Sequence, residues 1–157
     1  LIIPAGAFKN ISNIKTKKIK KDKFGNERSA EHLLMKGDDI FNFVIDKVPQ
    51  MLSDICKDLK IKKNYFDYYF LHQPNKFILE RLANKIGVDV SKMPNNIVEN
   101  FGNGSGITVP LNICFNLNKK AKNSSYKVIL GGFGVGLTWS MISCNLNKLS
   151  FCKIINF

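Results

Sequence analysis

Apolar residues recur at helical spacing in two stretches of the chain. Phe41, Val44, Ile45, Val48, Leu52, Ile55 and Leu59 predict an amphipathic helix over 38–60, kinked or restarted at Pro49, whose ring removes a backbone hydrogen bond. Ile78, Leu82 and Ile86 give a helix over 75–86 its apolar face, and Gly87 follows as a residue suited to ending it. Between the two, Phe66-Asp67-Tyr68-Tyr69-Phe70-Leu71 is short, aromatic and preceded by Asn64, which predicts a strand.

The arrangement then repeats. Asn96-Ile97-Val98-Glu99-Asn100-Phe101 is short and β-like, Gly102 to Gly106 turns, and a helix is predicted over 107–121. Pro110 is tolerated near the start of that helix, because a first-turn N–H has no intrahelical partner. Two further strands are predicted at 127–131 and 138–145, joined by the glycine-rich turn 132–136. Strands alternating with helices in this way predict an α/β architecture with a mixed or parallel sheet. Residues 9–32 are lysine-rich without an apolar period and read as a long surface loop or a mobile segment. The tail from Asn147 to Phe157 carries Leu149, Phe151, Ile154, Ile155 and Phe157, enough apolar surface to dock. There is no internal repeat and no membrane-spanning run.

Composition narrows the classes. Lysine and arginine total 24 against 12 acidic residues, a formal charge of +12. Only Arg28 and Arg81 are arginines, however, and the densest lysine run, Lys15 to Lys23, lies in the predicted loop. Nucleic-acid recognition calls for arginine forks interleaved with aromatics on one face, so neither a nucleic acid nor a membrane is the expected partner. Cys56, Cys114, Cys144 and Cys152 are widely spaced with no Cys-x-x-Cys pair, as suits a reducing, cytoplasmic setting. A metal site is not expected, because His32 and His72 are the only histidines and neither has ligand spacing to another candidate.

The candidate chemistry sits where apolar runs give way to turns. His72 follows the first predicted strand, in His72-Gln73-Pro74-Asn75, and Asn103 follows the second, in Phe101-Gly102-Asn103-Gly104-Ser105-Gly106. Ligands of α/β sheets bind at the carboxyl ends of strands. An imidazole and a carboxamide there are two neutral hydrogen-bond donors, suited to stabilising charge on a thioester oxygen without becoming permanent ions. On spacing alone, a surface or satisfied core histidine and a plain Asn-Gly turn are the commoner readings of such residues. Gly132, Gly134 and Gly136 do not form a dinucleotide loop, because such a loop opens into a helix whereas Leu137 to Ser143 predicts a strand.

Residues 33–146 resemble the C-terminal part of β-ketoacyl-acyl carrier protein synthase III, a thiolase-fold condensing enzyme. Met35-Lys36-Gly37-Asp38-Asp39-Ile40-Phe41 is similar to the family's M-x-G-x-x-V-F, and His72-Gln73-Pro74-Asn75 to H-Q-A-N. Gly102 to Pro110 is similar to G-N-T-S-A-A-S-I-P, and Gly132 to Trp139 to G-F-G-G-G-x-T-W. The resemblance implies the C-terminal half of a thiolase-like α/β fold, a mixed sheet with packed helices, incomplete at its N-terminal edge. It divides the chain into a loop-rich segment 1–32, a condensing-enzyme domain 33–146 and a tail 147–157.

It also implies an acyltransferase of fatty acid or related acyl biosynthesis, which joins an acyl thioester to a malonyl thioester with loss of carbon dioxide. His72 and Asn103 are then the catalytic His and Asn of a Cys-His-Asn site. Gly37, Phe41 and Asn75 are possible substrate contacts along the pantetheine arm, and Gly134 and Val135 backbone members of an oxyanion hole. No cofactor is implied beyond the substrates, acyl-coenzyme A and malonyl-acyl carrier protein. The positive charge suits an acidic carrier protein or the coenzyme A phosphates. The implied partners are carrier protein or coenzyme A thioesters, the N-terminal half of the same enzyme and a second copy in a homodimer.

Three departures bear on this. None of the four cysteines lies in the family's A-C-x-G context, so the nucleophile is expected outside this chain, on an upstream half. Phe77 stands where the family often has a basic residue, with Lys76 and Arg81 nearby, and Pro74 replaces alanine. The alternatives are a non-catalytic interaction module derived from the fold, or an acyltransferase that makes esters or amides without decarboxylation.

Overall fold

The computed structural model describes residues 1–134 and 136–155, so the expectations placed on Val135 and Phe157 lie outside the described residues. The chain forms two compact units, Leu1–Ile40 and Phe41–Phe157.

In the first unit, the lysine-rich stretch expected to be a loop contains a short helix α1 (Ile14–Lys17) and a pair of two-residue antiparallel strands, β1 (Lys20–Lys21) and β2 (Glu27–Arg28). Asn13 caps α1 reciprocally with Thr16, satisfying donors at both ends of the first turn. The Glu31 carboxylate accepts the hydroxyl protons of Ser12 and Thr16, both at 2.7 Å.

Helix α2 (Gly37–Asp58) runs on through Pro49 rather than restarting there. Val44, Val48 and Leu52 are each at most 1% exposed, and burial of that stripe outweighs the one missing backbone hydrogen bond. Strand β3 (Tyr68–Leu71) follows, then helix α3 (Lys76–Ile86). Asn75 is the N-cap of α3, accepting the Ile78 N–H at 2.8 Å, and Gly87 closes its end at φ +74°, donating to Ala83 and Asn84.

The segment expected as a strand at 96–101 is instead a helix, α4 (Ile97–Phe101). Five residues are too few for periodicity to separate the two states, and the β-branched pair Ile97-Val98 biased the reading. Only Ile97 of the segment is buried, so it needs one inward position per turn rather than an alternating face. Gly102 at φ +72° ends α4 with its N–H on the Val98 carbonyl, 2.9 Å. The single helix expected over 107–121 is a 3₁₀ turn (Ser105–Ile107) running into α5 (Thr108–Leu117), then α6 (Lys120–Asn123), broken at Asn118 where φ is +44°.

Strands β4 (Ser125–Gly134) and β5 (Thr138–Asn147) complete a three-stranded sheet in the order β3-β4-β5. β3 runs parallel to β4, from Tyr68 opposite Val128 to Leu71 opposite Gly131, and β5 is antiparallel to β4 along ten residue pairs. The sheet is therefore mixed, as expected. Phe70, Val128, Leu117, Ala121 and Cys152 form one core cluster, in which Val109, Ile113 and Leu149 also pack. The tail is pinned there by the Leu149 N–H on the Ala121 carbonyl, 2.8 Å.

Candidate functional site

β3 ends in the core and delivers His72 at its carboxyl end. The ladder continues one residue past the strand, with the His72 N–H on the Gly131 carbonyl at 2.8 Å. The half-buried imidazole meets Phe133 of β4 edge-on, centroids 5.4 Å apart at 80°. Its Nδ1 lies 2.8 Å from the hydroxyl of Thr108, the first residue of α5. Burial pushes the His72 pKa below the ordinary histidine value, while the Ser105 carbonyl pulls it back toward the protonated form.

Asn103 follows Gly102, whose positive φ turns the chain out of α4. It is exposed, and its Oδ1 accepts the Ser105 N–H at 3.0 Å. An N–H can bond only to the oxygen end of the amide, which fixes Nδ2 as the end that can donate elsewhere. Ser105 adopts φ +54°, a conformation uncommon outside glycine, and its carbonyl accepts the Thr108 hydroxyl proton at 2.9 Å.

One hydrogen-bonded path therefore runs His72–Thr108–Ser105–Asn103, joining the two candidate residues through the turn that precedes α5. The corner is held from the other side by Gln73, fully buried, whose Nε2 donates to the carbonyls of Leu71 (3.1 Å) and Pro94 (2.9 Å) and whose backbone N–H points to Thr108 Oγ1 at 3.3 Å.

The remaining candidates are placed differently. Asn75 has its side-chain oxygen in the α3 cap, and Phe41 stacks on Phe77 at 5.9 Å. The Arg81 guanidinium lies over the Phe77 ring at 5.2 Å, so an aromatic and a cation share one exposed spot on α3. Gly134 is the last residue of β4, opposite Thr138, and Gly37 opens α2. Sequence reasoning missed Thr108, Ser105 and Gln73. The signal for Thr108 was a hydroxyl residue two places before Pro110, where the resembled motif also carries serine.

Burial raises the pKa of Cys56, Cys144 and Cys152, and for Cys152 the neighbouring Cys114 thiol adds to the effect. Among the described residues no group of three His, Cys, Asp or Glu side chains could hold a metal ion. No helix among them is long and apolar enough to cross a membrane.

Comparison with known proteins assigns the lineage. The family model for the 3-oxoacyl-[acyl-carrier-protein] synthase III C terminal matches residues 56–145, more than half of the chain. The β-ketoacyl-[acyl-carrier-protein] synthase III of Streptococcus pneumoniae is 37% identical over 122 residues, 76% of this chain and 37% of that protein. The enzyme of the same name from Porphyra umbilicalis is 34% identical over 112 residues, 71% of this chain and 34% of that protein. A crystal structure of a 3-oxoacyl-(acyl-carrier-protein) synthase III superposes with a TM-score of 0.80 at 28% identity, covering 93% of this chain and 42% of the other. The 3-oxoacyl-(acyl-carrier protein) synthase of Burkholderia xenovorans LB400 gives 0.75 at 32% identity, with 80% and 36% covered. The chain thus spans about a third of the length of the curated relatives it matches. It belongs to the 3-oxoacyl-[acyl-carrier-protein] synthase III family of thiolase-like condensing enzymes and corresponds to their C-terminal part.

Proposed function

We propose that this chain is the C-terminal part of a condensing acyltransferase that joins an acyl thioester to a malonyl thioester with loss of carbon dioxide, in fatty acid or related acyl biosynthesis. The observation that carries this reading is the hydrogen-bonded path that ties His72 to Asn103 at the carboxyl end of β3. As carbon dioxide leaves a malonyl thioester, negative charge develops on the thioester oxygen. A preoriented amide N–H at that point is worth far more than one in water. Asn103 Nδ2 is such a group, oriented by the Ser105 N–H on its Oδ1. His72, linked to Asn103 through Thr108 and Ser105, is the titratable member of the pair.

The acyl group itself is carried by a cysteine outside these residues, on an N-terminal half. Phe41, Phe77 and Arg81 offer an aromatic surface with a cation for the carrier arm, which brings acyl-coenzyme A or an acyl carrier protein to the site. The enzyme works as a homodimer in the cytoplasm.

The test is intact-mass acylation with acyl-coenzyme A, then malonyl-dependent condensation, for this chain alone and joined to a cysteine-bearing half. The expected outcome is acylation of the joined form at a cysteine outside these residues. His72→Ala and Asn103→Ala should each lower kcat for condensation by about 10²–10³-fold while acylation persists. Stable acylation of Cys56, Cys114, Cys144 or Cys152 would overturn the placement of the nucleophile. Absence of acylation in both forms would leave a non-catalytic module.

A further inference from the structure

In the unit Leu1–Ile40 only Ala5 and Thr16 are buried, so its apolar side chains do not form a core of their own. Phe8, Ile11, Ile14 and Phe24 are each at least 71% exposed. The charges among them are one-sided. Residues 9–28 hold seven lysines and Arg28 against Asp22 and Glu27, an excess of six and half of the chain's excess of twelve. All seven lysines are exposed, whereas both acids are engaged: the Asp22 carboxylate takes the Phe24 and Asn26 N–H groups at 2.8 and 3.0 Å, and Glu27 faces Lys21 at 3.6 Å. Those Asp22 bonds shape the turn between β1 and β2, which the Asp22 N–H closes on the Asn26 carbonyl at 3.0 Å. Gly25 supplies its left-handed position at φ +84°. The turn presents Phe24 at the tip of the hairpin, with the Lys23 ammonium 4.9 Å from its ring.

An exposed aromatic ring gains by leaving water, and crowded lysines gain by meeting anions. An anionic bilayer offers both at one boundary, where a lysine stem lies along the apolar layer while its ammonium meets the lipid headgroups. We propose that the hairpin Lys20–Arg28 docks on an anionic lipid surface, with Phe24 entering the headgroup layer and the lysines around it holding acidic headgroups. Neither signal suffices alone, because one ring buries little area and exposed lysines are screened by salt. The cations are suited to this partner rather than to nucleic acid. They are point charges, and Arg28, the one arginine among them, spends Nη1 on the Leu33 carbonyl at 3.1 Å. This departs from the expectation drawn from composition that no membrane is a partner. Composition does not show that a phenylalanine stands exposed at the tip of the lysine-rich segment. The inference is independent of the acyl-transfer reading, since none of its residues belongs to that site.

The test is cosedimentation with vesicles of phosphatidylcholine alone and with vesicles of two parts phosphatidylcholine to one part phosphatidylserine, for this chain and for the form joined to a cysteine-bearing half. The expected result is that both forms bind only the vesicles containing phosphatidylserine, and less as salt rises. Lys20→Gln and Lys23→Gln should each weaken binding about fivefold, and Phe24→Ser should weaken it too. In a Trp139→Phe background, the emission of Phe24→Trp should move to the blue on mixing with the anionic vesicles, as the ring leaves water. The replaced hairpin side chains are exposed, so an unchanged far-UV circular dichroism spectrum is expected in each variant. Equal binding to both vesicles, or binding to neither, overturns the proposal. Binding by this chain that disappears in the joined form overturns it as well, and assigns the exposed apolar side chains to contact with the upstream half. Binding that Phe24→Ser leaves unchanged and duplex DNA competes away overturns it in favour of plain attraction between lysines and polyanions.

Discussion

His72 is neutral in the folded chain over a wider pH range than a free histidine, because burial lowers its pKa from about 6.5. Its unfolded form binds more protons than its folded form below that value. Its contribution to stability is therefore fully present above about pH 6.5 and is lost as pH falls through the folded pKa. A urea titration series should show stability falling on the acid side with this histidine, and His72→Gln should flatten that part of the curve. If the condensing reading holds, the acid limb of condensation should lie below the ordinary histidine value. A limb at or above it would mean the ring is more solvated than its setting beside Phe133 implies. Asn75 makes a separate case at the same scale. Its cap on α3 predicts that Asn75→Ala lowers stability by about 1 kcal/mol in chemical denaturation, and Asn75→Asp, which keeps an acceptor, should restore most of the loss. If Asn75 also contacts the carrier arm, Asn75→Asp should raise KM at nearly native stability.

At the scale of elements, β3 and β4 fit closely at Gly131. Gly131 stands opposite Leu71, and a Cβ added there would lie 2.6 Å from Leu71 Cδ2 and 3.5 Å from the end of Met141. Leu71 is 1% exposed and has little room to yield, so Gly131→Ala should cost about 1–3 kcal/mol by overpacking. Because the Gly131 carbonyl holds the His72 N–H, the same substitution should also disturb the His72 signals in an NMR spectrum, while Gly132→Ala, with open space around it, should not. This scale also shows what the residues announced. α3 was legible because Asn75, the apolar row from Ile78 to Ile86 and Gly87 all pointed to the same helix. β4 and β5 were legible from their apolar runs and grew by a few residues through mutual pairing. α4 was not legible, because five residues with two β-branched side chains contain less than two turns of evidence. The link from His72 to Asn103 was hidden for a different reason. It passes through a threonine hydroxyl and a serine backbone, and both act only once α5 has docked beside β3.

At the scale of the molecule, the cysteines make a direct prediction. With three thiols raised by burial and Cys152 only 1% exposed, alkylation by iodoacetamide at neutral pH should be markedly slower in the native chain than in urea. A thiol that reacts as fast in the folded form as in the unfolded form would contradict the described packing. The excess of twelve positive charges draws acidic partners through long-range attraction, so any association with an acidic carrier protein should weaken as salt rises. The pairing of β3 with β4 has a consequence in time as well as in space. Asp67 on one side and Lys127 on the other are bonded across 60 positions of sequence, so the ladder that holds His72 closes only after α3, α4 and α5 have been gathered into the intervening chain. Closing so distant a contact is entropically costly and belongs to the slow, non-local part of folding. In a refolding experiment the helical signal should therefore return before the His72 environment does. A nascent or partly folded chain would hold its helices while its imidazole was still unplaced, which ties competence at this corner to the last contacts the fold makes.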